Sequence, residues 1–208
     1  QIDDAWHFLH GAGAIAASGF VSDVEVELGR GLGDYQLPDP QSGDIKKAVQ
    51  ASIGLLGVAP DPVTWPLLAA VFRSVLAEWI PAELSVFVVG PTGTFKTCLA
   101  ALCAAHFGRG WTGSNTPASW SSTPNALERM AFTTKDHLLL IDDFAPNGTY
   151  TDIRKLHATA ERVIRAQGNQ SGRFRMRADS TLAGSLPPRG LILATGEDMP
   201  KGQSLQAR

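Results

Sequence analysis

The 208-residue chain has no apolar run approaching the roughly 20 residues that a membrane span requires, and it shows no signal-peptide pattern. No membrane partner is therefore expected. Cysteine is almost absent. The two present, Cys98 and Cys103, fall five positions apart on one predicted helix and so on different faces. No disulfide between them is expected, both read as small core residues, and the usage fits a reducing, cytoplasmic location. An excess of charge of one sign is also missing. Eighteen basic side chains stand against twenty acidic ones, for a net charge of −2. No global field draws in nucleic acid, so any such contact must come from a local patch. His7 and His10 have no cysteine or carboxylate cluster beside them to complete a metal site, and they read as packed histidines.

The composition, 44% hydrophobic and 18% charged, belongs to a folded globular chain of one domain with a small accessory lobe. Residues 1–43 form the expected accessory segment and 44–208 the core. The chain starts at Gln1 and stops at Arg208 without a helix stop or polar tail, so it is expected to be a piece of a longer protein, its core cut at the C-terminal side.

The core is organised around Gly90-Pro91-Thr92-Gly93-Thr94-Phe95-Lys96-Thr97. A short β-branched run, Ser85 to Val89, precedes it, and a helix-like run from Cys98 to Phe107 follows. Strand, glycine-bearing turn, then Lys-Thr opening a helix is the context of a phosphate-binding loop. Backbone N–H groups of such a turn face an anion, Lys96 brings a positive charge to the β- and γ-phosphates, and the Thr97 hydroxyl ligates Mg²⁺. ATP and Mg²⁺ are the implied ligands. One residue departs from the pattern: the position before the lysine should be glycine and is Phe95. The competing reading of the octapeptide is a strand–helix turn with an incidental Lys-Thr.

Around this loop the chain alternates strands and helices. Val21 to Leu28 alternates apolar and acidic residues and predicts one short strand. Pro38, Pro40 and Gly43 mark a linker, and Asp44 caps a helix carrying Ile45, Val49, Ile53 and Leu56. A second helix is predicted from about Val63 to Trp79, with Trp65 and Trp79 in the core; the pair reads as a lid or packing layer. Thr123 or a neighbouring serine, with Pro124, starts another helix. His137-Leu138-Leu139-Leu140-Ile141-Asp142-Asp143 is a buried strand ending in two carboxylates, where parallel α/β sheets place their chemistry. Asp142 suits Mg²⁺ held through water, and Asp143 suits the orientation of an attacking water. A helix is expected from Asp152 to Gln167. Arg173-Phe174-Arg175-Met176-Arg177 then has strand patterning with one cationic face and a return arm near Ala183 to Pro188. Such a hairpin either grips phosphates or guards a sheet edge with charge. A third buried strand, Arg189 to Gly196, ends in Thr195, a candidate contact to the γ-phosphate or water, with Glu197 and Asp198 as alternatives.

In that order (loop, Asp-Asp strand, basic hairpin, strand ending Thr195-Gly196-Glu197-Asp198-Met199-Pro200) the chain resembles the core of superfamily-three helicases, over roughly residues 50–208. Trp120 to Glu128, Arg165 to Asn169 and Gly190 to Arg208 are more similar still to primase-associated ATPases of actinobacterial mobile elements. The resemblance implies an AAA+-type P-loop NTPase fold, a parallel sheet flanked by helices. It also implies ring assembly, a hexamer by expectation, ATP-driven movement along DNA, and a primase or polymerase as domain or partner. The hairpin of that family lines the central channel, where it meets single-stranded DNA; its counterpart here carries Arg173, Arg175 and Arg177. An arginine after the last motif reaches the neighbouring subunit's ATP, and Arg208 matches it. Two positions depart from the family: Phe95, and Thr195 in place of asparagine. A rival reading is a weakly or non-hydrolysing, nucleotide-gated assembly module. A third, a small-molecule kinase, is disfavoured by the tandem acids and the arginine hairpin.

Overall fold

The computed structural model describes residues 5–176 and 179–202, and of Arg175 only the backbone. Three short strands, β1 (His7–His10), β2 (Gly13–Ala16) and β3 (Gly19–Val21), form an antiparallel meander at the start. The expected strand over Val21 to Leu28 is not formed beyond Val21. Residues 22–29 form no strand.

The stretch expected as a linker begins in the core. Tyr35 is 1% exposed and its hydroxyl donates to the Leu138 carbonyl at 2.8 Å. Its own carbonyl accepts from Gly11 N–H at 2.7 Å. Close by, Gly108 passes the backbone of Asp34 and Gln36 so tightly that a Cβ there would lie 1.7 Å from the Asp34 carbonyl oxygen; only glycine fits. His10, fully buried, accepts from the N–H groups of Ala12 and Leu37 through Nδ1. Leu32 and Tyr35 belong to the buried cluster of the rest of the chain, and Phe8 of β1 packs against it.

Asp44 caps α1 (Ile45–Gly54) by accepting from the Lys47 N–H at 3.1 Å, as its position predicts. The apolar stripe of α1 does not face the core: Ile45, Val49 and Ile53 are all exposed. Helix α2 (Asp61–Ser74) stops well before Trp79, and residues 75–79 continue as turns. Its Leu67, Leu68, Ala70 and Val71 are buried, whereas Trp65 and Trp79 are exposed, which corrects their expected core placement. Trp79 instead packs on Trp6, ring centroids 5.1 Å apart.

The main sheet has four parallel strands in the order β4 (Ser85–Val89), β9 (Leu191–Gly196), β6 (Leu138–Phe144), β5 (Ala118–Ser119). Between them run α3 (Lys96–Ala104), α4 (Pro124–Thr133) and α5 (Tyr150–Gly168). Helices α2 and α3 pack on each other and on the sheet, as do α4 with α5 and α5 with the sheet. The central strands β6 and β9 are covered on both faces, so Leu138 to Ile141 and Leu191 to Ala194 are all buried. That is why both read as unbroken aliphatic runs rather than alternating ones. Strand β4 is at the edge and only half-buried. A remaining ladder, β7 (Arg175–Met176) with β8 (Leu182–Ala183), is antiparallel and stands apart from the sheet. Among the described residues no helix is long and apolar enough to cross a membrane.

Candidate functional site

The parallel topology puts the C-terminal ends of β4, β9 and β6 side by side, and the expected phosphate-binding loop leaves the first of them. The loop bends as a glycine-bearing turn should. Gly93 has φ 81°, open to glycine and costly for other residues. Phe95, in the place where glycine was expected, takes a glycine-like conformation all the same, with φ 58° and ψ 22°. It does so directly before α3, with its ring 78% exposed. The departure from the pattern is thus one of side chain and not of backbone shape.

Within the loop the Pro91 carbonyl accepts from the Thr94 hydroxyl and from the Lys96 ammonium, both at 2.7 Å. An ammonium has three donors, so Lys96 retains two for other oxygens. Thr97, in the first turn of α3, donates its hydroxyl to Asp142 Oδ1 at 2.9 Å. Thr195 donates to that same oxygen. In return Thr195 Oγ1 accepts the Asp143 N–H at 3.2 Å.

The two acids reach the site by an irregularity. In a regular strand Asp142 and Asp143 would point to opposite faces. Here the β6–β9 register shifts between Ile141 and Phe144, and Asp143 has φ 64°. The bulge leaves Asp142 on Thr97 and Thr195 and turns Asp143 into the cavity above the loop. That cavity, about 360 Å³, is lined by Thr92 to Cys98, Asp143, Thr195, Gly196 and Glu197. A larger cavity of about 670 Å³ lies past the other end of α3 among Asp34, Gln36, His106 and Arg109; none of the expected site residues lines it.

The expected placement of Thr195 is refined by its burial and bonding. It is 1% exposed, and its one hydrogen is committed to Asp142. As bonded, it has an acceptor lone pair left but no donor, so it can take a hydrogen bond from water but cannot offer one to a phosphate. Cys98 is not a core residue as its spacing suggested: it is exposed and lines the cavity, while Cys103 is buried. Glu197, an alternative contact in the sequence, accepts the Thr92 hydroxyl. Periodicity could not have found this pairing, since the two residues are 105 positions apart.

The donor set suits a hard cation. Thr97 Oγ1 and Asp142 Oδ1 converge at a helix N-terminus, and Mg²⁺ is commonly held by one or two carboxylates with substrate phosphates completing its shell. The described residues contain no cluster of three or more His, Cys, Asp or Glu that would form an all-protein metal cage.

The basic hairpin forms as a hairpin, with Arg175 opposite Ala183 and Met176 opposite Leu182. Arg173, Phe174, Met176 and Leu182 are exposed. Arg177 and Arg208 lie outside the described residues, as does the Arg175 side chain.

No protein-family model matches the chain. Nor does any curated protein. Among solved structures the chain is similar to one titled "SCCmec type IV Cch - active helicase", at a TM-score of 0.41 and 15% identity, over 72% of this chain and 27% of that one. The chain thus spans little more than a quarter of that protein's length.

Proposed function

We propose that this chain carries a P-loop ATPase core of AAA+, superfamily-three helicase type, a motor that couples ATP hydrolysis to movement along DNA during replication of a mobile element. The observation that carries the reading is the convergence of the Thr97 and Thr195 hydroxyls on one Asp142 oxygen beside the Gly90–Thr97 loop. A general strand–helix turn has no need of a carboxylate from a distant strand tip.

In this reading residues 90–97 hold the ATP phosphates, with the α3 N-terminus and Lys96 supplying positive potential. Thr97 and Asp142 hold Mg²⁺, which neutralises charge on the phosphates. Asp143, turned into the cavity, orients the attacking water and accepts its proton, and the free lone pair of Thr195 takes a hydrogen bond from that water. Arg208 serves the neighbouring subunit's ATP in a ring, by expectation a hexamer. Arg173, Arg175 and Arg177 contact single-stranded DNA. Phosphate release with and without single-stranded DNA tests this. Lys96→Ala and Asp143→Asn should each abolish turnover, and near-normal turnover in both would refute the assignment. A particle mass measured with ATP and DNA present tests the ring.

Phe95 favours a second reading, a nucleotide-gated ring module that binds ATP and recruits a primase or polymerase with little hydrolysis. A bulky ring where the loop calls for glycine is its motivation. Tight ATP binding without phosphate release would select it.

A further inference from the structure

Glu197 lies immediately beyond β9. Its N–H donates to the Phe144 carbonyl at 2.9 Å, which fixes its main chain against the tip of β6. Its exposed side chain lines the 360 Å³ cavity, and its carboxylate accepts the hydroxyl of Thr92, in the first half of the loop. The Gly90 N–H bonds to the Gly196 carbonyl at 3.2 Å. The loop is therefore pinned to the end of β9 twice, at its start through backbone and further along through Thr92 and Glu197. Among the described residues the carboxylate makes no ion pair with Lys96, whose ammonium rests on the Pro91 carbonyl.

Resting on the nucleotide-binding reading, we propose that Glu197 is a specificity-determining latch: its carboxylate competes with a nucleotide's phosphates for the loop and discriminates against polyphosphate not neutralised by a divalent cation. The physics has two parts. A hydroxyl has one hydrogen, so Thr92 cannot donate to Glu197 and to a phosphate oxygen at once. A carboxylate at the mouth of the phosphate cavity also repels a polyphosphate, and a metal bound to that polyphosphate cancels part of the repulsion. Glu197 thus raises the dependence of binding on Mg²⁺ without being a ligand of it.

Three variants separate tether from charge. Glu197→Gln keeps an acceptor for Thr92 and loses the charge. Thr92→Val loses the tether and keeps the charge. Glu197→Ala loses both. Binding of a fluorescent ATP analogue is measured in excess Mg²⁺ and in EDTA, and hydrogen exchange of the Gly90 amide and amides 92–95 is measured on the protein alone. Glu197→Gln should tighten metal-free binding about tenfold and Mg²⁺-bound binding less than about threefold. Glu197→Ala and Thr92→Val should each speed loop exchange several-fold, with Glu197→Gln near wild type. An equal effect of Glu197→Gln on both forms, or loop exchange unchanged in Glu197→Ala and Thr92→Val, overturns the latch. If those results come from a wild type that binds nucleotide and loses it in Lys96→Ala, the binding reading survives and the latch alone falls. If wild type and every Glu197 variant bind nothing, both fall.

Discussion

Thr195 and Thr97 donate their hydroxyls to the same oxygen of Asp142, one from the tip of the neighbouring strand and one from the first turn of α3. The carboxylate is thereby aimed by two side chains that sit next to it in space but far from it in sequence. Removing one should loosen the aim without removing the acid. Thr195→Val should weaken Mg²⁺-dependent nucleotide binding by about 10- to 100-fold, the usual effect of losing a group that orients a metal-binding residue, and Thr195→Ser should restore most of it. A magnesium titration of nucleotide affinity in the two variants checks this; equal affinities in wild type and valine variant would show that Thr195 does not orient the acid.

Phe95 makes an unusually clear case for strain. A non-glycine residue in the left-handed region costs roughly 1–2 kcal/mol, and this ring, 78% exposed, gains little from packing in return. Glycine lowers the cost but adds entropy to the unfolded chain. Phe95→Gly should therefore stabilise the protein by up to about 1 kcal/mol, and Phe95→Val should destabilise it, being β-branched. Urea unfolding of the two variants reads the sign. A faster phosphate release in Phe95→Gly would further show that Phe95 limits turnover.

Arg162 bonds Glu128 through Nε and the Asn125 side-chain carbonyl at 2.8 Å, tying α5 to α4. Glu128 is 6% exposed, so its charge depends on such partners. Arg162→Leu should cost about 1.5–3 kcal/mol, the range for losing a hydrogen bond to a charged group. Adding Glu128→Leu should recover part of this loss, because no acid is then left to be satisfied. A two-variant cycle in chemical denaturation measures it.

His137 gives the fold a predictable response to acid. It is buried among the rings of Phe8, Tyr35 and Phe107, with Nδ1 on the Lys135 carbonyl at 2.5 Å. Burial pushes its pKa down to about 4, opposed by the hydrogen bond to the Lys135 carbonyl and helped by the nearby charges of His10 and Lys135. Burial lowers His10 as well. An unfolded histidine titrates near 6.5, so the folded state favours the neutral ring. Stability from His137 should be complete above about pH 6.5 and fall as pH drops from there towards 4. Urea midpoints between pH 8 and pH 4.5 test it, and His137→Phe should show a shallower decline over that range (roughly the two pH units below the free histidine pKa).

Much of the site was legible locally. The β-branched run of β4, the turn with its Lys-Thr and the aliphatic run of β6 ending in two acids are short-range patterns, and the backbone follows them. The helix cap at Asp44 was equally visible, and the second was narrowed to Thr123 or a neighbouring serine, because a cap is settled within a few residues; the structure places it at Thr123. The bulge at Asp143 was not. It comes from how β6 fits β9, and a strand's own alternation carries no trace of it. A similar limit applies to the tryptophans and α1: an apolar residue or stripe does not say whether anything packs on it, so Trp65, Trp79 and the stripe of α1 proved exposed, while the Leu67, Leu68 and Val71 face of α2 is buried.

The sequence by itself determined the order of the chemical parts: a loop with a lysine and threonine, then two acids, then a hydroxyl followed by an acid. Only the tertiary structure decided which of these meet. The strand order sets β9 between β4 and β6, and that single choice brings Thr195 to Asp142 and Glu197 to Thr92. Local backbone preferences act over a few residues, whereas strand order is chosen by which faces the whole chain can bury together. The contacts that give this site its character belong to the second kind.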